Sequence, residues 1–157
     1  MYVELNHVNP NMAVSVKLGV DCEDGGIVKI EGLADCMFGK IDLGEEALAG
    51  GNLTDDFGDM YALIATDYHR YDERILSGDV PQHKAGELVR GYLFEVGQRV
   101  TIEKALIDGD VEAGDVLVPV VGSTKLKKAT GTEKNAVAKV LKNRKYMGRD
   151  AVKIIML

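Results

Sequence analysis

Arg99-Val-Thr-Ile102, Val116-Leu-Val-Pro-Val-Val121, Ala136-Val-Ala-Lys-Val-Leu141 and Ala151-Val-Lys-Ile-Ile-Met-Leu157 are short apolar runs separated by Gly-Asp and Gly-Ser steps. Runs of roughly 4–8 residues bounded by turn residues are the pattern of a small antiparallel sandwich or barrel. Helical periodicity is not sustained over a helix-length window anywhere in the chain. The fold class expected is therefore all-β, a small antiparallel β-barrel or sandwich with minor helix.

Upstream, Met60-Tyr-Ala-Leu-Ile-Ala-Thr66 reads as a buried strand and Leu88-Val-Arg-Gly-Tyr-Leu-Phe94 as another. Asp67 to Pro81 is polar and aromatic, the composition of a long loop. Val14, Val16 and Leu18 alternate with Ser15, Lys17 and Gly19, the period-2 signal of a half-buried strand. Gly25-Gly26 suits the turn before Ile27-Val-Lys-Ile30, so residues 13–31 read as one hairpin. Between Gly32 and Gly58 the pattern is irregular, with one helical turn expected at Gly44–Ala49. Asn6-His-Val-Asn-Pro-Asn11 favours turns over helix, and residues 1–20 are expected to form an extended arm. The rest, residues 21–157, reads as a single β-rich domain whose barrel-forming half is about 85–157.

A chain of 157 residues is about one domain, with enough core to need no staple. It is 46% apolar and 28% charged, ordinary globular material, and it has 18 glycines, which suits a turn-rich β protein. It contains no Trp, so the core must rest on Val, Ile, Leu and Met. The start lacks a basic region followed by an apolar one, so no signal peptide is expected. No apolar run is long enough for a membrane helix, and no membrane partner is expected.

The net charge of −6 conceals an asymmetry. Residues 1–124 hold 9 Lys+Arg and 23 Asp+Glu, whereas residues 125–157 hold 10 Lys+Arg and 2 Asp+Glu, giving −14 and +8. Either basic strands pair with acidic ones inside the domain, or the basic end meets a charged partner. Nucleic acid is disfavoured as that partner. Only Tyr146 is interleaved with the lysines as a stacking group, and an acidic remainder repels phosphates.

No motif for catalysis or cofactor binding is present, and no enzyme activity, cofactor or metal is expected. His7, His69 and His83 have no partner at metal-ligand spacing. Cys22 and Cys36 could pair or stay free, and neither sits in a CxxC. Asp55-Asp-Phe-Gly-Asp59 lacks the ligand series of a calcium loop. Gly122-Ser-Thr-Lys125 and Gly131-Thr-Glu-Lys134 lack phosphate-loop spacing and read as hairpin turns. Tyr68-His-Arg-Tyr-Asp-Glu-Arg74 is dense in side chains enriched at interfaces and reads as an exposed contact loop.

Two stretches carry a family resemblance. The first comprises Tyr61–Asp67, Tyr71–Arg74, Ala85–Tyr92 and Val96–Ile102. The second comprises Val111–Val118, Lys125–Ala129, Ala136–Leu141 and Ala151–Leu157. They resemble auxiliary head proteins of tailed bacteriophages, the decoration or cement subunits of the capsid. The resemblance leaves residues 1–59 unaccounted for. The phrase Glu-Ala-Gly-Asp-Val-Leu-Val is also similar to lipoyl and biotinyl domains. Those display a lysine beside Met or Ala on a hairpin tip, and Lys125, Lys127 and Lys128 lack that flanking pattern.

The resemblance implies a small barrel, the major capsid protein and other copies of the chain as partners, and a place on the virion after synthesis in a bacterial cytoplasm. An arm can add a strand to a neighbour's sheet edge, opposite charges can register a subunit on a shell, and many copies contribute avidity. The contact residues expected on this basis are Tyr2, Val3, Leu5, His7, Val14 and Val16 in the arm and Tyr68, His69, Arg70 and Tyr71 in the loop. The competing expectation is a small β-barrel module that binds nucleic acid or another acidic polymer through the basic end.

Overall fold

Strand dominates the described residues, and helix among them is confined to two 3-10 turns, against roughly 20–25% strand in an average soluble domain. The all-β expectation is met. The computed structural model describes residues 4–34, 37–38, 41–42, 47–56, 58–65, 82–133, 135–146 and 148–157.

The chain begins with β1 (Glu4–His7). A single 3-10 turn, Pro10–Met12, follows, set up by Asn9, whose side chain accepts from the Asn11 N–H at 3.0 Å. Then come β2 (Ala13–Leu18), β3 (Cys22–Glu23), β4 (Ile27–Ala34), β5 (Met37–Phe38), β6 (Ile41–Asp42), β7 (Ala47–Gly51) and β8 (Tyr61–Ile64). The middle holds β9 (Gln82–His83), β10 (Leu88–Leu93) and β11 (Arg99–Glu103). A second 3-10 turn, Lys104–Leu106, leads to β12 (Ile107–Asp108), β13 (Val116–Pro119), β14 (Leu126–Lys128), β15 (Ala138–Tyr146) and β16 (Arg149–Met156).

Five strands close a barrel in the order β10-β2-β7-β4-β8, with β8 pairing back to β10. Its interior holds Val16, Leu18, Cys22, Val28, Ala62, Ile64 and Val89. A five-stranded barrel is narrow, and glycine supplies the room. A Cβ on Gly50 would lie 2.8 Å from Val16 Cγ1 and 3.0 Å from Val28 Cγ2, and one on Gly91 would lie 3.0 Å from Val16 Cγ2. Val16 therefore fills the space that Gly50 and Gly91 leave open, a burial that contributes roughly 1.5–3 kcal/mol.

The remaining long strands form a seven-stranded sheet, β1-β11-β16-β15-β13-β14-β12, antiparallel except for the parallel β12–β14 pair. Barrel and sheet share one core. Ile27, Tyr61 and Leu63 on the outer side of the barrel pack with Val100, Ile102, Leu117, Val140, Val152 and Ile154 of the sheet. Strand β8 thus sends Ala62 and Ile64 into the barrel and Tyr61 and Leu63 into the sheet core. A strand buried on both faces reads as an unbroken apolar run, which is why Tyr61-Ala-Leu-Ile64 was legible as buried. Backbone bonds seal the junction: Ile27 N–H to Thr124 O at 3.0 Å and Leu53 N–H to Ser123 O at 2.9 Å.

Several expectations are corrected. The closed barrel is drawn from Ala13–Leu93, and the C-terminal runs build the open sheet instead. Residues 13–31 are not a hairpin, because β2 and β4 both pair with β7 and not with each other. Segment 4–18 is no free arm: β1 pairs with β11, and β2 pairs with β10 and β7. Ala47–Ala49, expected at the end of a helical turn, lie in β7. The Gly131 turn does not join neighbouring strands, since β14 and β15 flank β13 on opposite sides. It is closed instead by the Glu133 carboxylate, which accepts from the Thr130 hydroxyl at 2.7 Å and from the Thr130 and Gly131 N–H groups.

Candidate interaction surface

Strand β1 places Leu5 opposite Val100 and His7 opposite Arg99, and it is an edge of the seven-stranded sheet. Both Leu5 and His7 are exposed. The strand is tied down from its inner neighbour, where the Thr101 hydroxyl donates to Asn6 Oδ1 at 2.8 Å. Val14 is half-buried against the barrel interior, and Val16 is completely buried within it. Val16 cannot touch a partner, which corrects its assignment as a contact residue. Its neighbours in the alternating pattern told of a half-buried strand but not of closure around it. Tyr2, Val3, Tyr68, His69, Arg70 and Tyr71, expected to make contacts, lie outside the described residues.

The basic C-terminal segment is partly neutralised inside the fold. Arg144 Nη1 lies 3.1 Å from Glu4 Oε2, Arg149 Nη1 3.2 Å from Glu103 Oε1, Lys128 Nζ 3.0 Å from Asp115 and Lys145 Nζ 3.5 Å from Asp150. The Glu4 oxygen is out of solvent and is met by proximity to the guanidinium without hydrogen-bond alignment. Arg144 also sits 5.9 Å from the centre of the Tyr146 ring. Internal pairing of basic and acidic strands, one of the two sequence readings, accounts for these four cations.

Others are left over. Arg99, Lys139, Lys142 and Lys153 make no ion pair among the described residues. The register sets them on the outer face of the sheet, turned away from the shared core. Arg99 and Lys139 both pair with Ile155, and Lys142 pairs directly with Lys153. The cause is a bulge between Val140 and Lys142. Strict alternation from the buried Val140 would turn Leu141, Asn143 and Lys145 outward. The extra residue moves Lys142, Arg144 and Tyr146 to the outer face in their place. A bulge re-aims side chains in this way, and nothing in the local pattern of the sequence announces it.

A second polar cluster was missed because its members are distant in sequence. His83 is buried in β9, with Nε2 3.5 Å from the buried Asp24 and Nδ1 3.4 Å from Glu87 Oε2. Opposite it in the β3–β9 ribbon stands Cys22, a buried free thiol whose pKa burial pushes up to about 12. A thiol held protonated this firmly is a poor nucleophile, so the cluster acts as a staple. It joins the ribbon with the help of Gln82 Nε2 donating to Glu23 and Ala85 N–H donating to Asp21.

The carboxylates of Asp55–Asp59 also serve the fold. Asp59 accepts from the Thr54 hydroxyl at 2.6 Å and pairs with Lys29 at 3.3 Å. Burial raises its pKa, but these partners outweigh burial and lower it overall. Beside it a cleft of about 410 Å³ is lined by Asp59, Met60, Tyr61, Phe94 and Asn135–Val137. The Tyr61 hydroxyl there donates to Thr54 O at 3.3 Å and receives the Asn135 amide at 3.4 Å. Among the described residues no group of three or more His, Cys, Asp or Glu side chains is arranged to hold a metal ion, and no helix is long and apolar enough to cross a membrane. Compared with protein-family models, curated proteins and solved structures, the chain matches none.

Proposed function

We propose that the chain is a non-enzymatic structural subunit of a tailed-phage virion. It would bind the outside of the capsid shell and reinforce or decorate it through contacts with the major capsid protein. The observation that carries this reading is the position of β1. It is an edge strand that, among the described residues, pairs with β11 alone, with Leu5 and His7 exposed on it. Such an edge offers backbone donors and acceptors to a strand from another protein, a mode that needs no pocket. The strand is four residues long and bulged between Leu5 and His7, features that blunt an edge against indiscriminate pairing. Specific docking onto a repeated surface, where many weak contacts add up, suits an edge of this kind. The resemblance carried by residues 61–157 points the same way.

The test is occupancy on purified capsids that lack the subunit. Leu5→Glu, at an exposed position, should reduce bound copies at fixed concentration while the variant stays folded. Unchanged occupancy would remove β1 from the contact. A second reading, a module for nucleic acid or another acidic polymer, draws on the outer-face cations that make no ion pair among the described residues. Random-sequence DNA binding with a steep salt dependence would favour it.

A further inference from the structure

Lys142 and Lys153 are direct cross-strand partners on one face of the sheet, and Lys139 and Arg99 flank them through Ile155. Like charges directly opposite each other destabilise a strand pair. The chain as a whole carries −6 and holds 25 acidic residues, so carboxylates for pairing are abundant. Neighbouring cations on the same face, Arg144 and Arg149, have them. The Lys142–Lys153 contact exists because the bulge after Val140 turns Lys142 outward; without it Leu141 would occupy that face. A local rule broken by a specific backbone device, with no compensating ion pair among the described residues, marks a surface shaped for something outside it.

We propose that this face, Arg99–Lys139–Lys142–Lys153 around Ile155, is a docking surface for a carboxylate-rich protein surface. The inference rests on the capsid reading above only in naming the shell as the natural bearer of those carboxylates. Charge complementarity selects an anion. Two features select protein over nucleic acid. Ile155 and Val116 lie in the same cross-strand row as Arg99 and Lys139, giving the mixed apolar and charged texture of a protein interface. The aromatic ring on this face, Tyr146, sits beside the Arg144 guanidinium and is not free to stack on bases.

Lys142→Glu tests this without threatening the fold, since it replaces a repulsive pair by an attractive one. Its thermal midpoint should rise by roughly 1–3 °C. Its affinity for poly-L-glutamate at low salt should fall by about fivefold. Lys145→Glu makes the same change in net charge at a residue paired with Asp150, and it should alter poly-L-glutamate binding by less than about twofold. Equal losses in the two variants would reduce the effect to net charge and overturn the proposal, as would a midpoint that falls in Lys142→Glu. Tighter binding to random-sequence duplex DNA than to poly-L-glutamate at the same salt would overturn the choice of a protein partner. On capsids the two ideas separate. Wild-type and Lys142→Glu subunits bound equally would sink this surface and leave the shell reading standing. Loss of poly-L-glutamate binding with no capsid binding by either would uphold the surface and sink the shell reading.

Discussion

The Arg144 guanidinium meets the Glu4 carboxylate at 3.1 Å although β16 and β11 lie between their strands. The two side chains therefore reach toward each other over the two intervening strands and clamp β1 to β15. Each group is under a third exposed, so the pair is shielded from solvent more than an ordinary surface bridge. Arg144→Ala is expected to cost about 1 kcal/mol, or a few degrees in thermal midpoint. A double-mutant cycle with Glu4→Gln should return a coupling of similar size, and additive effects would show that the two do not communicate.

Gly50 and Val16 should be coupled in the opposite sense. Gly50→Ala places a methyl group 2.8 Å from Val16 and should destabilise by roughly 1–3 kcal/mol through overpacking. Val16→Ala should cost about 2 kcal/mol by opening a cavity. Together they should cost clearly less than the sum, because each relieves the other. Urea unfolding of the single and double variants measures this. Strict additivity would mean that the barrel interior does not meet at these two residues.

The Cys22 thiol gives a pH dependence at the alkaline end. Burial raises its folded-state value to about 12 from an ordinary value of 9.0. Below pH 9 the thiol is neutral in both states and contributes no slope. Between pH 9 and 12 the unfolded chain releases its proton while the folded one retains it, so stability falls as pH rises. Cys22→Ser should flatten that decline. A thiol reagent at pH 8, with the labelled site read by peptide mapping to separate Cys22 from Cys36, should modify Cys22 only as fast as the barrel opens, and immediate labelling at Cys22 in native protein would contradict its burial.

Glu133 governs the acid end of the Thr130–Glu133 turn. The Thr130 hydroxyl and backbone N–H hold its carboxyl well below the ordinary 4.5, at about 2. A depressed carboxylate contributes stability above its unfolded value and loses it as pH falls, here between about 4.5 and 2. The carboxyl carbon should titrate near pH 2 by NMR. Glu133→Gln should make the N–H shifts of Thr130 and Gly131 insensitive to pH in that window. A midpoint near 4.5 would contradict the hydrogen-bonded turn.

How far the sequence disclosed this protein varied with the range of the interactions involved. The strands Arg99–Glu103, Val116–Pro119 and Arg149–Met156 were visible because each alternates or runs apolar over its own few residues. Tyr61–Ile64 was visible for the same reason, although its two-sided burial belongs to a junction of two layers. Closure of the barrel was hidden, since it depends on β8 finding β10 and on β2 running parallel to β7. The alternation of Val14, Val16 and Leu18 signals burial on one face but cannot say whether the chain around it is an arm or a barrel wall. Among the expected contact residues, Leu5 and His7 proved exposed on an edge, while Val16 was claimed by the core. The charge asymmetry was plain from composition. Its division into paired cations and an outer row without ion pairs among the described residues was not, because the bulge at Leu141 decides it.

The central claim is the proposed attachment to a capsid shell, and co-sedimentation of the purified chain with tailed-phage capsids tests it most directly. The expected result is saturable binding at a fixed number of copies per shell, with little retention on random-sequence DNA at the same salt. Failure to sediment with the shells, accompanied by steeply salt-dependent DNA binding, would contradict it.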